Sequence, residues 1–301
     1  MENNYHVPVL LQACIDGLDI KPDGVYVDVT FGGGGHSREI LRHLGEDGVL
    51  IAFDQDPDAQ RNRISDPRFH FVDQNFAFLK NNLRLLGYKK VDGILADLGV
   101  SSHQFNEPDR GFSTRFESEL DMRMAQQGEL TASKILNTYT ESQLHKIFGI
   151  YGEVKNAKTL AGSIVTGRVE HPIATLSDFK QVIAAHIPKG KENKYMAQVF
   201  QALRIEVNDE IGVLENFLLQ AADVLNVGGR LVVMSYHSLE DRPVKNFLAK
   251  GKLKGEADKD FFGNELKPFK LITRKAVVAE DDELVLNSRA RSAKLRVGER
   301  S

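Results

Sequence analysis

With 301 residues, 42% of them hydrophobic, the chain is long enough to bury a sizeable core in one large domain or two modest ones. A net charge of −3 does not advertise nucleic-acid binding, so a partner of that kind must be met by local patches. There is no long apolar run for a membrane span and no basic-then-apolar leader. The single Cys14 cannot form an intrachain disulfide, so a cytoplasmic protein is expected.

The predicted elements alternate from the start. Val25–Val29 is a β-branched run and reads as a strand. It is followed by Thr30-Phe31-Gly32-Gly33-Gly34-Gly35-His36-Ser37, a four-glycine turn, and by a helix over Arg38–Leu44. Val49–Phe53 is a second strand ending at Asp54, and Pro57 suits the first turn of the next helix. Phe69–Val72 reads as a third strand. A helix near Phe76–Leu86 follows, with Phe76, Leu79, Leu83 and Leu86 apolar. Val91–Ala96 is a fourth strand, ending at Asp97. This order predicts a parallel sheet with helices on both faces.

The next strong strand is Arg230–Tyr236, preceded by a helical pattern over Ile211–Leu225 and the stop signal Gly228-Gly229. The 132 residues between Asp97 and Arg230 far exceed one crossover helix. Thr140-Glu141-Ser142-Gln143 has capping-box spacing before Leu144, Ile147, Phe148 and Tyr151, and Ser177 precedes Phe179, Val182 and Ile183 at helical spacing. A helical domain inserted over residues 111–201 is therefore expected, within a cofactor-binding domain of residues 1–110 and 202–301. Lys270–Lys275 reads as a final strand.

Open α/β sheets bind ligands beyond the carboxyl ends of their strands, so Asp28, Asp54 and Asp97 should line one crevice. The glycine run lets a ligand approach the backbone, and the helix N-terminus behind it offers N–H groups. Asp54 lies 19 residues after Gly35, close to the separation at which an acid bonds ribose hydroxyls. Asp28 is placed to orient the loop. A dinucleotide would need G-x-G-x-x-G, and the third glycine is absent whether counting starts at Gly32 or Gly33. A ligand without pyrophosphate, S-adenosylmethionine, fits better. The nine His and one Cys lack metal-ligand spacing, so no metal is expected, and no G-x-S-x-G elbow appears.

A second set of blocks is more specific. Asp97-Leu98-Gly99-Val100-Ser101-Ser102-His103-Gln104 is followed by Asp109-Arg110-Gly111-Phe112-Ser113 and Leu120-Asp121-Met122-Arg123-Met124. Then come Phe200-Gln201-Ala202-Leu203-Arg204-Ile205-Glu206-Val207-Asn208, Ser235-Tyr236-His237-Ser238-Leu239-Glu240-Asp241-Arg242 and Ala290-Arg291-Ser292-Ala293-Lys294-Leu295-Arg296. Together these resemble the bacterial 16S rRNA (cytosine-N4)-methyltransferase family, from His6 to Arg300.

The resemblance implies a Rossmann-like class I S-adenosylmethionine-dependent methyltransferase fold with an inserted helical domain that meets substrate RNA. It implies methyl transfer to the N4 amine of a decoding-region cytidine in 16S rRNA. Gly34, Gly35, His36, Asp54, Phe76, Asp97 and Gln104 match the family's cofactor contacts. The substrate would be 16S rRNA within the small ribosomal subunit, with no membrane partner; the oligomeric state, a homodimer included, is left open. The chain departs from the family at Gly33, at Glu119 and over Tyr195-Met196-Ala197-Gln198, the last removing a basic residue where an RNA contact is expected.

Methyl transfer from a sulfonium is an in-line displacement and depends mostly on positioning. Asp97 is the candidate acceptor of an N4 proton; the alternative is a carboxylate that only binds cofactor or orients the loop. For His237, beside Ser235 and Ser238, a loop histidine held by the backbone is the plainer reading and a catalytic one the sharper. Ser101 and Ser102 suit caps or turns. Asp121, Arg123 and Arg204 suit either an RNA cleft for a flipped cytidine or helix-packing ion pairs. For phosphates, Arg242–Lys275 carries ten Lys and Arg against four acids, and the tail adds Arg289, Arg291, Lys294, Arg296 and Arg300. Phe261 and Phe262 in that segment are expected to pack rather than stack. A non-catalytic ribosome-assembly factor that keeps the fold is the alternative function, and a dehydrogenase a weaker one.

Overall fold

The structure, a computed structural model, describes residues 8–101, 104–105 and 107–301. His6, Ser102 and His103, which belong to the motif blocks, lie outside the described residues. The chain divides into two compact units. One comprises the residues up to Gly99 together with Ile211–Ser301, and the other is Val100–Glu210.

The first unit is built on seven strands: β1 (Val25–Asp28), β2 (Val49–Phe53), β3 (Phe69–Val72), β4 (Val91–Asp97), β5 (Leu225–Ser235), β6 (Phe269–Leu271) and β7 (Lys294–Arg300). Their order is β3-β2-β1-β4-β5-β7-β6. β1 to β5 run parallel, while β7 pairs antiparallel with both β5 and β6. The basic tail, expected as a phosphate patch, thus contains a strand inside the sheet, and the expected last strand at Lys270–Lys275 is the short edge strand β6. The β4–β5 register passes from Val91↔Leu225 to Gly93↔Arg230. The loop between those pairs carries Gly228 at φ 80°, so the two glycines shape a bulge in β5 rather than a stop before it.

Side chains alternate across the strands, and each face buries its own helices. On one face Val27, Ile51, Phe53, Ile94, Leu231 and Val233 pack with Leu79 and Leu83 of α3 (Leu79–Leu85). Phe217 and Leu218 precede β5 on the same face, and Phe247 follows it. On the other face Tyr26, Leu50, Leu95, Val232 and Met234 pack with Cys14 and Leu18 of α1 (Leu11–Leu18) and Ile40 and Leu41 of α2 (Gly35–His43). Leu295 and Val297 of β7 join this second face, which explains the apolar alternation within an otherwise basic tail. Burial among these side chains pushes the Cys14 thiol well above its ordinary pKa.

The second unit is helical: α4 (Ala132–Thr138), α5 (Glu141–Ile150), α6 (Ala157–Glu170), α7 (Leu176–Ile183) and α8 (Glu192–Asn208). Leu136, Leu144, Phe148, Leu160, Phe179, Phe200 and Leu203 form its core. Thr140 and Gln143 make the expected capping box at α5. At α7 the box belongs to Thr175 and Asp178, and Ser177 instead bonds Glu117 within the first turn. α8 runs unbroken past residue 201 to Asn208, so the Phe200–Asn208 block is helix in this unit. Tyr195 and Met196 face its core, and Tyr195 Oη donates to Asn156 Oδ1. α9 (Glu210–Val224) then leads into β5, and α10 (Ser238–Lys250) and α11 (Asp281–Leu286) complete the described α-helices.

Candidate active site

Asp28 closes β1, Asp54 immediately follows β2, and Asp97 closes β4, so the parallel register brings three carboxylates to the carboxyl ends of neighbouring strands. Asp28 is fully buried and holds the loop that follows it. Its Oδ2 accepts from Ser37 Oγ at 2.7 Å, and its Oδ1 accepts from Thr30 N at 3.0 Å. Thr30 Oγ1 accepts in turn from Asp97 N at 2.7 Å, tying the end of β1 to the end of β4. Burial raises the Asp28 pKa, with His36 and these donors opposing the shift.

The glycine run is a tight turn that enters α2 with Gly34 at φ 74°. A Cβ on Gly34 would lie 2.8 Å from the Phe31 ring, and one on Gly35 would lie 2.3 Å from Pro8 Cγ. Both glycines are therefore required by close neighbours within the chain, whatever approaches the turn from outside. Asp54 Oδ2 accepts from Gly32 N at 2.7 Å, and its Oδ1 accepts from Asp56 N at 2.8 Å. These bonds leave lone pairs on a partly exposed carboxylate. Burial pushes the Asp54 pKa to about 6, and the charges of Asp56 and Asp28 push in the same direction.

Asp97 is also raised to about 6 by burial, and Asp28 and Glu240 add to the shift. Two partners oppose it: His36, whose Nδ1 lies 3.9 Å from Asp97 Oδ2, and Tyr236, whose hydroxyl donates to Asp97 Oδ1 at 2.8 Å. The other ring nitrogen of His36 lies 3.2 Å from Val9 O, which fixes the imidazole from the far side. Burial and the neighbouring Asp97 drive the Tyr236 phenol far above its ordinary pKa, so it stays a donor. Tyr236 was absent from the sequence-derived set although it lies in a motif block. Its signal was position: it comes right after β5, beside β4.

Phe76 opens a short 3₁₀ turn after β3 and is half-buried, meeting Phe217 edge-on at 5.3 Å between centroids. Gln104 belongs to the helical unit, where it is buried and its Oε1 accepts from Ser101 N at 3.0 Å. Ser101 returns its Oγ to Gln104 N, the turn role expected of it. His237 precedes α10, with Nε2 3.0 Å from Glu240 Oε1. Ser235 is buried and donates to Lys294 O.

Several candidate RNA contacts are ion pairs inside their own units. Arg123 grips Asp121 through Nε at 2.8 Å and Nη2 at 2.6 Å, and Arg204 grips Glu210 at 2.8 and 2.9 Å. In the tail, Arg296 Nε donates to Asp241 at 2.6 Å, and Arg300 donates to Ala222 O and Pro268 O.

The donor set suits one kind of ligand. Three carboxylates whose charged forms are disfavoured chiefly by burial disfavour a pyrophosphate and favour a cation. The open lone pairs of Asp54 suit a diol, and Phe76 offers an apolar ring.

The strand order, with an antiparallel strand slipped in beside β5 and acids ending β1, β2 and β4, is that of a Rossmann-like class I methyltransferase fold, here with an inserted helical unit. The chain belongs to the MraW methylase family, whose model matches residues 3–301. It is 56% identical over 296 residues to the ribosomal RNA small subunit methyltransferase H of Flavobacterium johnsoniae, covering 98% of each chain. The protein of the same name from Cytophaga hutchinsonii is 55% identical over 298 residues, covering 98% of this chain and 99% of its own. That of Bacteroides fragilis is 52% identical over 299 residues, covering 99% and 98%.

Proposed function

We propose that this protein transfers a methyl group from S-adenosyl-L-methionine to the N4 amine of a decoding-region cytidine in 16S rRNA, with the small ribosomal subunit as its setting. The observation that carries the reading is the group of three carboxylates at the strand ends, two of them pushed to about 6. A cationic donor would favour their charged forms, which burial opposes, whereas a neutral or anionic cofactor would not. The names of the relatives support ribosomal RNA as the substrate.

In this reading Gly34, Gly35 and His36 would shape the turn that holds the donor, Asp54 would accept from its ribose hydroxyls, and Phe76 would offer an apolar ring to its adenine. When bound, the donor supplies an electrophilic methyl on sulfur. The protein's task is then to hold the amine in line and to manage its proton. A cytosine amine is a weak nucleophile because its lone pair is delocalised into the ring. Asp97, accepting a hydrogen bond from that amine, returns electron density to N4, and the raised pKa matches a carboxylate that takes up the proton as the N–C bond forms. Tyr236 and His36 hold the Asp97 oxygens in place.

The test uses purified protein, donor labelled in its methyl group, and small subunits from a strain lacking the gene. Label recovered as N4-methylcytidine in 16S rRNA is expected. Absence of label from the RNA, or label on another atom, would overturn the reading.

A further inference from the structure

The segment between α10 and β6 carries a feature that methyl transfer at the strand ends does not use. Gly251, at φ 70°, ends α10, and Leu253 and Phe269 anchor the two ends of the segment in the sheet core. Between them the chain turns back on itself, with an isolated antiparallel bridge between Lys259 and Glu265. The tip is knotted by Asp260. Its Oδ1 accepts from Phe262 N at 2.9 Å and Asn264 N at 2.8 Å, and its Oδ2 accepts from Asn264 Nδ2 at 2.9 Å. Asp260 N donates to Asn264 O, Gly263 N donates to Asp260 O, and Gly263 takes φ 86°. These bonds hold the Asp260 carboxyl below its ordinary pKa.

The turn is thus closed without either phenyl ring, yet it presents two. Phe261 is 97% exposed and Phe262 84% exposed, with centroids 5.6 Å apart and planes at 87°. The expectation that they pack is overturned: neither is covered, and Leu266 beside them is 56% exposed. Apolar rings held outward on an ordered turn mark a contact surface. Around them, residues 250–275 carry eight Lys and Arg against four acids. Glu256, Asp258 and Glu265 pair with Lys250, Lys252 and Lys267, and Lys254 and Lys270 pair with Glu215 and Glu299; these are surface pairs that a phosphate can displace, while Asp260 is held in the turn.

We propose that this loop is a docking finger for single-stranded RNA, with Phe261 and Phe262 as a stacking platform and the surrounding lysines and arginines meeting phosphates. The edge-to-face pair leaves ring faces open to a planar base, and stacking of this kind tolerates any sequence. A lipid surface is the poorer fit. Inserting the tip there would carry Asp260, Asn264 and Glu265 in with the rings, whereas a base covers one ring face and leaves those groups in water. The proposal rests on the reading of the protein as an RNA methyltransferase and adds a second point of contact, apart from the methyl-transfer site, that sets substrate affinity and not the chemical step.

The chain contains no tryptophan, so Phe261→Trp places a single tryptophan at the tip, which can be excited selectively over the seven tyrosines. Full-length Phe261→Trp protein titrated with single-stranded oligoribonucleotides of rRNA sequence should show quenching that weakens as salt rises. In steady-state methylation of small subunits, Phe261→Ala/Phe262→Ala should raise KM roughly tenfold and leave kcat unchanged. Its melting temperature should match wild type, since neither ring is buried. Fluorescence indifferent to RNA together with an unchanged KM overturns the proposal. So does a blue shift with phosphatidylglycerol–phosphatidylethanolamine vesicles and no response to RNA. A wild-type protein that labels no rRNA defeats the functional reading alone, and the quenching experiment still decides the finger.

Discussion

Carboxylates drawn partly out of water are costly in their charged form unless a cation joins them. Asp97 and Asp54 show the consequence, both raised to about 6 from an ordinary 3.8. A raised carboxyl binds its proton more tightly folded than unfolded. Its contribution to stability is therefore present below about pH 4 and is lost as pH rises through about 6. Asp97→Asn should stabilise the ligand-free protein at pH 7 by about 1–3 kcal/mol, seen as a higher melting temperature. The same variant should slow single-turnover methyl transfer by about a hundredfold. Near-normal transfer would remove the acceptor role. Binding of the methyl donor should weaken below pH 6 as these acids protonate, and more steeply than binding of the demethylated product, whose sulfur is neutral; parallel titrations by calorimetry would show it. Tyr236→Phe removes a donor that favours the charged form of Asp97. The acidic limb of kcat should then move above its wild-type position, and an unmoved limb would separate Tyr236 from the chemistry.

Among the elements, the glycine turn and the last strand carry the sharpest expectations. The Gly35 Cα is packed against Pro8, so Gly35→Ala should displace the segment around Pro8 or strain the start of α2. A loss of about 1–3 kcal/mol in urea unfolding is expected, even with no ligand present. In β7, Arg296 is only 12% exposed and forks onto an Asp241 that is 13% exposed. Arg296→Ala leaves that carboxylate only the looser pair with Lys294 at 3.8 Å and should lower stability by about 1–2 kcal/mol, with little change in the salt dependence of RNA binding. The reverse result, unaltered stability with a shallower salt slope, would make Arg296 a phosphate contact. The antiparallel position of β7 was not legible because its charged alternate residues obscure the inward Leu295 and Val297, a pattern seven residues long. The capping box at Thr140 was legible because a helix cap is a local contract between residues three apart.

At the scale of the whole chain, a net charge of −3 hides a division of labour among its cations. Arg123, Arg204 and Arg296 are committed to part-buried carboxylates, whereas lysines of the segment before β6 stand in exposed pairs such as Lys250–Glu256 and Lys252–Asp258. The sequence by itself determined strands β1 to β4 and the acids at the ends of β1, β2 and β4, because apolar period and strand length are written in consecutive residues; the helix expected at Pro57 is only a 3₁₀ turn over Ala59–Asn62. It also determined the family, because separated motif blocks occur in order. What lies at the end of a strand is local; what lies beside it is not. Only the tertiary structure decided that Tyr236 reaches Asp97, that Gly34 and Gly35 answer to Phe31 and Pro8, that the tail is a strand between β5 and β6, and that Phe261 and Phe262 face water. Each depends on contacts between segments far apart along the chain, and the free energy that fixes them is burial, which no window of sequence contains.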